Sequence, residues 1–287
     1  MGFIPDKRTY DHLIKWAIRE DIGPYDVTTE ATVDPDRIGR AKIIAKEDIV
    51  ASCLFVAKDC FLTIDPNVEF LFCAKEGQKI KKGEYLLEIQ AKIYTILSIE
   101  RIALNFLQRL CGISTFTKKI VDKVKDLPVK IVDTRKTTPG FRILEKYAVQ
   151  VGGGQNHRFS LFDGVLIKDN HIAAVGSIKK AIELCRNKIH HLFKIQVEVS
   201  NNEQIKEAIL AGADALLLDN MVDDTDVTRL KMAVDFARAI SSSILLEASG
   251  GICLKNIREV ALTGVDQISC GCLTHSAPSV DISLRIV

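Results

Sequence analysis

No apolar run in the 287-residue chain approaches the roughly 20 residues that cross a bilayer as a helix, so a soluble protein with no membrane partner is expected. The amino-terminal MGFIPDKRTY has no apolar signal-peptide core. Asp6 also stands where a myristoylated Gly2 would need Ser or Thr nearby. Excess charge is missing too: 39 Lys+Arg against 37 Asp+Glu leave a formal +2. Nothing global therefore points to nucleic acid, and any anion site must arise from local convergence. The eight cysteines (53, 60, 73, 111, 185, 253, 270, 272) contain no CxxC pair, which argues against a zinc ribbon or a disulfide framework and for a reducing, cytoplasmic setting. Cys270 and Cys272 form a lone CxC without a second Cys/His pair nearby, as expected of buried strand-end thiols. Finally, EGQKIKKGEYLLEI (76–89) places no lysine in the setting that biotinyl or lipoyl attachment requires, so it is expected to be structural.

What is abundant is apolar content, 47% of residues, enough for one large or two ordinary domains. From about residue 129 one pattern recurs: a short β-branched run, a few polar residues, then a helical period. It gives VKIVDTR (129–135), GVLIKDNH (164–171), KIQVEVS (194–200), ADALLLDN (213–220), SILLEASGG (243–251) and VDQISCG (265–271). Between them lie amphipathic stretches such as NNEQIKEAILAGA, where Ile205, Ala208 and Ile209 share a face. Alternation of strand and helix implies parallel strands with right-handed crossovers. Six units are fewer than the eight of a full barrel, so residues 113–275 are expected to form an incomplete, six- to seven-stranded α/β barrel.

Residues 1–112 read differently. A helix, TYDHLIKWAIRED, and short strands in AKIIAKEDIVAS and VEFLFCAKEGQKIKKGEYLLEIQAK suggest a separate α+β sandwich domain. The helix SIERIALNFLQRLCG (98–112) joins the two regions, with Ile99, Ile102, Ala103, Phe106, Leu107 and Leu110 as its apolar stripe and Arg101, Asn105 and Gln108 on another face. The tail 276–287 is expected to pack back on the amino-terminal domain.

Polar residues fall at or just past the strand ends: Arg135, Lys136, Lys168, Asp169, Glu198, Asp219, Glu247, Ser249, Ser269 and Gly271. In a barrel those ends meet at one face, where chemistry is done. VDTRKTTPG (132–140), then GGGQNHRFS (152–160), then Lys168 would bring Arg135, Lys136, His157, Arg158 and Lys168 to that mouth. Four fixed positive charges and an imidazole repel one another without a multiply charged anion. Guanidinium forks suit carboxylates, and a lysine is a compact point charge suited to phosphate. Glu198 and Asp219 must serve something cationic: a metal, a ribose or a developing positive charge. The glycines of ASGGI and SCGC offer N–H groups to a phosphate. The acidic run MVDDTD (221–226) reads as helix capping.

The stretches DTRKTTPGFRILEKYAVQVGGGQNHR, DGVLIKDNHI, LLLDNM, EASGGI and THSAPSVDISLRI resemble the quinolinate phosphoribosyltransferase family, over nearly the whole chain from EDIGPYDVTTEAT onward. The resemblance implies transfer of phosphoribosyl from phosphoribosyl pyrophosphate to quinolinate with decarboxylation, giving nicotinate mononucleotide, pyrophosphate and CO2. It implies a homodimer, or a higher assembly, with shared active sites. Arg135, His157, Arg158 and Lys168, with Arg101 from the neighbouring subunit, would hold quinolinate. Lys136, Glu198 and Asp219 would meet phosphoribosyl pyrophosphate with Mg2+, and Ser249, Gly250, Gly251, Ser269 and Gly271 would hold its 5-phosphate. Glu198, Asp219, Lys136 and Lys168 are the implied catalytic set, with no organic cofactor. Ser200 departs from the family pattern, where an acid is often expected. Three other readings remain open: a related barrel transferase acting on another pyridine or a molybdenum-linked substrate, a Schiff-base aldolase using Lys168, and a phosphosugar-binding protein without catalysis.

Overall fold

The computed structural model describes residues 4–287, so Gly2 lies outside the described residues. In chain order the elements are α1 (Asp11–Asp21), α2 (Val27–Thr32), β1 (Ile38–Ala45), β2 (Ile49–Val50), α3 (Leu54–Ile64), β3 (Glu69–Cys73), β4 (Lys79–Ile80), β5 (Tyr85–Lys92) and α4 (Ile93–Lys123). There follow β6 (Lys130–Val132), α5 (Arg142–Val151), β7 (Val165–Ile167), α6 (Asp169–Val175), α7 (Ile178–Lys188), β8 (Ile195–Val199), α8 (Asn202–Leu210) and β9 (Ala215–Asp219). The last are α9 (Thr228–Ile240), β10 (Leu245–Ser249), α10 (Ile257–Leu262), β11 (Gln267–Ser269), α11 (Cys272–His275) and β12 (Ile282–Ile286). Two compact units result. One takes residues up to Lys118 with Thr137–Gly153 and Leu273–Val287; the other takes Lys119–Lys136 with Gly154–Cys272.

The first unit is built on an antiparallel sheet of order β12-β1-β5-β3. Its edge strand β12 pairs with β1 from Ala41↔Ile286 to Ala45↔Ile282. The α3 helix buries Leu54, Val56, Ala57, Cys60 and Phe61. It starts from Cys53 in the left-handed region (φ 58), where the Glu76 carboxylate accepts the Cys53 and Leu54 N–H groups, both at 2.8 Å. That acid far along the chain supplies a cap the local sequence lacks. Helix α4 is longer than the 98–112 span read from the sequence, because the apolar stripe continues on both sides: Ile96, Ile113 and Ile120 are as fully buried as Ile99 and Leu110. Arg101 and Asn105, one turn apart, are exposed. Arg109 instead turns inward to the buried Glu145 (2.9 Å) and donates to the Ala277 carbonyl (3.0 Å). Glu145 also accepts from the Thr138 N–H (3.1 Å) and hydroxyl (2.9 Å).

The second unit is a parallel sheet of order β6-β11-β10-β9-β8-β7. All six strands fall within the six runs read from the sequence. The outer strands β6 and β7 are not paired with one another among the described residues, so the barrel is incomplete. Beside β6, Gln155 makes a single parallel bridge with Val132.

Register sorts the side chains by pleat. Val197, Val199, Leu216, Leu218, Leu246, Ala248 and Ile268 are at most 1% exposed. They face the helices, whose buried residues include Ile182 on α7, Ile205 on α8, Leu230 and Val234 on α9, and Val260 on α10. Full burial of each such Leu or Val contributes about 1.5–3 kcal/mol. The alternate residues form the inner rows: Glu198, Leu217, Glu247 and Gln267 are cross-strand partners, and Asp219, Ser249 and Ser269 make the next row toward the carboxyl ends. Caps start the crossover helices: Ser177 accepts from the Lys180 N–H (3.2 Å) and Asn201 from the Gln204 N–H (2.9 Å). The acidic run 221–226 serves the same end, since Asp226 accepts the Thr228 N–H (2.9 Å) at the start of α9.

The glycines of GGGQNHR do different jobs. Gly153 adopts φ +92, a conformation that costs an L-residue. Gly152 packs directly on α4: a Cβ there would lie 2.5 Å from the Ser114 carbonyl oxygen and 2.6 Å from the Thr117 Cβ. Gly152→Ala should therefore lower the urea midpoint by the equivalent of about 1–3 kcal/mol, the usual cost of overpacking. Gly176→Ala, with open space around its site (φ +100), should cost only about 1 kcal/mol. Equal midpoints for Gly152→Ala and the parent protein would remove the close approach as the reason for glycine.

Candidate active site

The candidate site of the second unit begins where β6 ends. Asp133 is fully buried and accepts the His157 N–H at 3.0 Å and the Asn156 side-chain amide at 2.5 Å. Its own N–H donates to the Gln155 carbonyl (3.1 Å), and the Gln155 N–H donates to the Ile131 carbonyl (2.8 Å). Residues 155–157 are thus laid along β6. The next turn is fixed by the Thr134 hydroxyl, which accepts the Lys136 N–H (3.0 Å). Asp133 and Thr134 are the anchors of DTRK, and Arg135 and Lys136 are exposed.

Arg158 follows His157 and is partly buried, with Nη1 donating to the Gly164 carbonyl (2.9 Å). Burial, and after it the nearby charge of Arg135, pulls the Arg158 guanidinium below its usual range; Asp163 partly offsets both. Two guanidinium groups that disfavour one another's charge make a place where an anion would be stabilised. Asp163 is itself committed to the 159–163 turn through the Phe159 and Ser160 N–H groups (2.6 and 2.8 Å).

Across the mouth, Lys168 ends β7 and its Nζ meets Glu198 Oε2 at 2.6 Å; the lysine side chain is 46% exposed and the glutamate 13%. A half-exposed ammonium in an ion pair is the opposite of the desolvated amine that a Schiff-base aldolase needs, so that reading of Lys168 is set aside. Asp219, at the end of β9, has its carboxyl pushed up by burial and then by Glu198, with Lys168 and Lys136 opposing the shift and Asp169 adding to it. Two carboxylates and two ammonium groups therefore share one field. Asp219 also accepts from the Asn220 side-chain amide (2.6 Å).

Ser249 and its successors close the mouth. Gly250 (φ +92) and Gly251 (φ +65) follow the strand in left-handed conformations. A Cβ on Gly250 would lie 2.1 Å from Asn220 Oδ1 and 2.9 Å from Asn220 N, so the neighbouring loop itself requires glycine here. Ser269 is buried, and its hydroxyl donates to the Ala248 carbonyl (3.3 Å). Cys270 N–H donates to the Val132 carbonyl (2.9 Å), which ties the SCGC loop, including Gly271, to β6. The Cys272 thiol donates to the Ile252 carbonyl (3.4 Å). Among the described residues all eight cysteines are free, and no three His, Cys, Asp or Glu side chains gather as a metal cage. No helix of the described residues is long and apolar enough to cross a membrane.

Arg135, Lys136, His157, Arg158, Lys168, Glu198, Asp219, Ser249, Gly250, Gly251, Ser269 and Gly271 all belong to the second unit; Arg101 belongs to the first. Sequence reasoning gave no role to three residues that support this set, although Glu247 was among its strand-end residues. Gln196 and Glu247 project from inner rows of the barrel, and Asp133 holds the QNH segment. The signal for the first two was available in the alternation of QVEV and LEAS, which places each polar residue opposite the apolar face.

Family comparison agrees with this layout. A family model for the quinolinate phosphoribosyl transferase C-terminal domain matches residues 113–285, and one for the N-terminal domain matches residues 26–111. The chain is 44% identical over 267 residues to a probable nicotinate-nucleotide pyrophosphorylase (carboxylating) of Bacillus subtilis, covering 93% of this chain and 90% of that one. It is 41% identical over 287 residues to a protein of the same description from Synechocystis, covering 100% and 96%. Superposition on the crystal structure of NadC from Streptococcus pyogenes gives a TM-score of 0.91 at 38% identity, over 100% of this chain and 99% of that one. The chain belongs to the quinolinate phosphoribosyltransferase family.

Proposed function

We propose that this chain transfers the phosphoribosyl group of phosphoribosyl pyrophosphate to quinolinate with loss of CO2, giving nicotinate mononucleotide and pyrophosphate for NAD biosynthesis in the cytoplasm. The observation that carries the reading is the pair Arg135 and Arg158, whose like charges disfavour one another and would be neutralised by a dicarboxylate. Each fork takes a carboxylate in two parallel N–H···O bonds, which fixes the plane of the pyridine ring. Lys168 contributes a third cation once quinolinate draws it from Glu198. That exchange frees the Glu198 carboxylate to face the ribose, so binding of one substrate prepares the site for the other.

The C1–O bond of the ribosyl group breaks with its electron pair leaving on pyrophosphate. Lys136 offsets the charge that gathers there. Glu198 and Asp219 stabilise the positive charge developing at C1, an electrostatic contribution made mainly in the transition state. The pyridine nitrogen then donates its lone pair to C1. In the resulting pyridinium, the bond from the ring to the adjacent carboxylate breaks, CO2 departs, and the electron pair stays on a carbon beside the positive nitrogen until a proton from water replaces it. The substrate is its own electron sink. Ser249, Gly250, Gly251, Ser269 and Gly271 surround the place for the 5-phosphate.

The donor set suits Mg2+: Glu198 and Asp219 offer hard carboxylate oxygens in one field, and two protein ligands leave the rest of an octahedral shell to substrate oxygens and water. Bound with the co-substrate, Mg2+ would supply charge to the departing pyrophosphate. A two-fold dimer completes each site with Arg101 from the partner, which gives the exposed Arg101 and Asn105 face of α4 a role.

Quinolinate-dependent and Mg2+-dependent release of pyrophosphate and CO2 tests the reaction directly. In that assay Arg158→Lys should raise KM for quinolinate roughly tenfold or more, since the charge stays and the fork is lost; unchanged kinetics would remove Arg158 from the clamp.

Neutral isosteres at Glu198 and Asp219 should lower kcat by roughly 10²-fold. Asp219 must be ionised to act and its carboxyl is raised, so activity should fall as pH drops through a value above the ordinary aspartate range. Asp219→Asn should abolish that acid limb, and an effect confined to KM for phosphoribosyl pyrophosphate would assign the pair to ground-state binding.

Mixing inactive Arg101→Ala and Arg135→Ala chains, with subunit exchange verified by mass-tagged protein, should restore about a quarter of parent activity. Half of the dimers are mixed and one of their two sites is intact. No recovery would place Arg101 in its own chain's site or outside any site.

A further inference from the structure

Asn256 stands at the start of α10, where asparagine is a favoured cap, yet its side chain makes no capping bond to that helix. The residue is 1% exposed, and its amide reaches three backbone groups of two other segments. Nδ2 donates to the Asp224 carbonyl (2.7 Å) and to the Gly251 carbonyl (3.0 Å). Oδ1 accepts the Cys253 N–H (2.9 Å). Two carbonyls need donors and one N–H needs an acceptor, so the surroundings determine which way the amide points. Aspartate lacks the donors, serine has only one, and glutamine carries the same amide on a longer stem.

The loops joined in this way carry different parts of the site. Asp224 (φ 48) belongs to the loop that follows Asp219 and β9, and Gly251 to the loop that follows Ser249 and β10. Beside the sheet the two loops already meet once, where the Asn220 N–H donates to the Ser249 carbonyl (2.9 Å). Asn256 makes the second tie, beyond the strand ends. The ion pair of Lys255 with Asp224 (2.7 Å) lies alongside, but both side chains are exposed and such a pair adds little. The Gly251–Ile252 peptide is trans, so fixing the Gly251 carbonyl on Asn256 turns the Ile252 N–H the opposite way. The N–H groups of Gly250, Gly251 and Ile252 find no acceptor among the described residues. Successive free N–H groups of this kind suit an anion.

We propose that Asn256 is a positioning residue for phosphoribosyl pyrophosphate: its amide locks the loop after Asp219 to the loop after Ser249, and so sets the spacing between the carboxylate that meets the ribosyl centre and the N–H groups that meet the 5-phosphate. The inference rests on the proposed function for the identity of the ligand. Asn256 touches no substrate. A ribose 5-phosphate unit has a fixed reach from C1 to its phosphate, so two loops that moved independently would match it for only a fraction of the time, and apparent affinity falls by that fraction. Quinolinate is taken by side chains that follow β6 and β7, outside the lock.

Steady-state kinetics of the full-length protein test the proposal with Asn256→Ala, which removes all three bonds, and with the milder Asn256→Ser, which covers the case in which the alanine chain does not fold. Each should raise KM for phosphoribosyl pyrophosphate about tenfold and leave KM for quinolinate within about twofold. Val260→Ala, a buried truncation one turn further along α10, is the control for general loosening: the thermal midpoint should fall while both KM values stay within about twofold of the parent. An Asn256 variant with unchanged KM for phosphoribosyl pyrophosphate, an equal rise in both KM values, or the same rise in Val260→Ala would make Asn256 an ordinary structural residue and overturn the proposal. Calorimetric titration with ribose 5-phosphate, without quinolinate, should show about tenfold weaker binding by the variants. If the parent binds ribose 5-phosphate but does not turn over quinolinate, the proposed function falls and this titration alone decides the lock. A parent that neither turns over nor binds ribose 5-phosphate would sink both.

Discussion

Arg135 and Arg158 repel one another, and the fold around them is arranged to hold them in place regardless. Burial and a neighbouring like charge both work against the Arg158 cation, so the segment that carries it must be tied down more firmly than an ordinary loop. The ties are the buried Asp133 carboxylate on the His157 N–H, the single Gln155 bridge beside β6, and the Gly164 carbonyl under the guanidinium. Each is a hydrogen bond made inside the protein, so no ligand is needed to form it. The site is in this sense preorganised: ordering is met during folding and binding meets charge already in position.

On the far side of the mouth the logic is inverted. Glu198 and Asp219 would repel one another, but Lys168 and Lys136 lie in the same field. The carboxylate side is therefore a set of partial neutralisations, with Lys168 paired to Glu198 and both lysines opposing the shift at Asp219.

Much of this was legible in the sequence, for a physical reason. Parallel strands buried on both faces are written as short runs such as ALLLD and VLIK, and the polar residue that ends each run sits at the carboxyl end by construction. The barrel strands, Arg135, Lys168, Glu198 and Asp219 could be found that way. Less legible were features whose cause is distant in sequence. The α3 cap comes from Glu76, the Arg109 and Glu145 pair joins α4 to α5, and α4 outruns its predicted ends because burial continues where composition changes. Gln196 was hidden because a polar residue inside a barrel looks, in one dimension, like a polar residue facing water, and Glu247 was found at its strand end without its partners.

The pairing of β12 with β1 has a consequence for the order of synthesis. Ala41 finds its partner Ile286 only after roughly 240 further residues have been made, which at about 5–20 residues per second takes roughly 12–50 s. During that interval β5 is available to one side of β1 while the other side offers unpaired N–H and C=O groups. The nascent amino-terminal sheet is thus an open template for a neighbouring chain on the same messenger, and the final strand is what ends its availability.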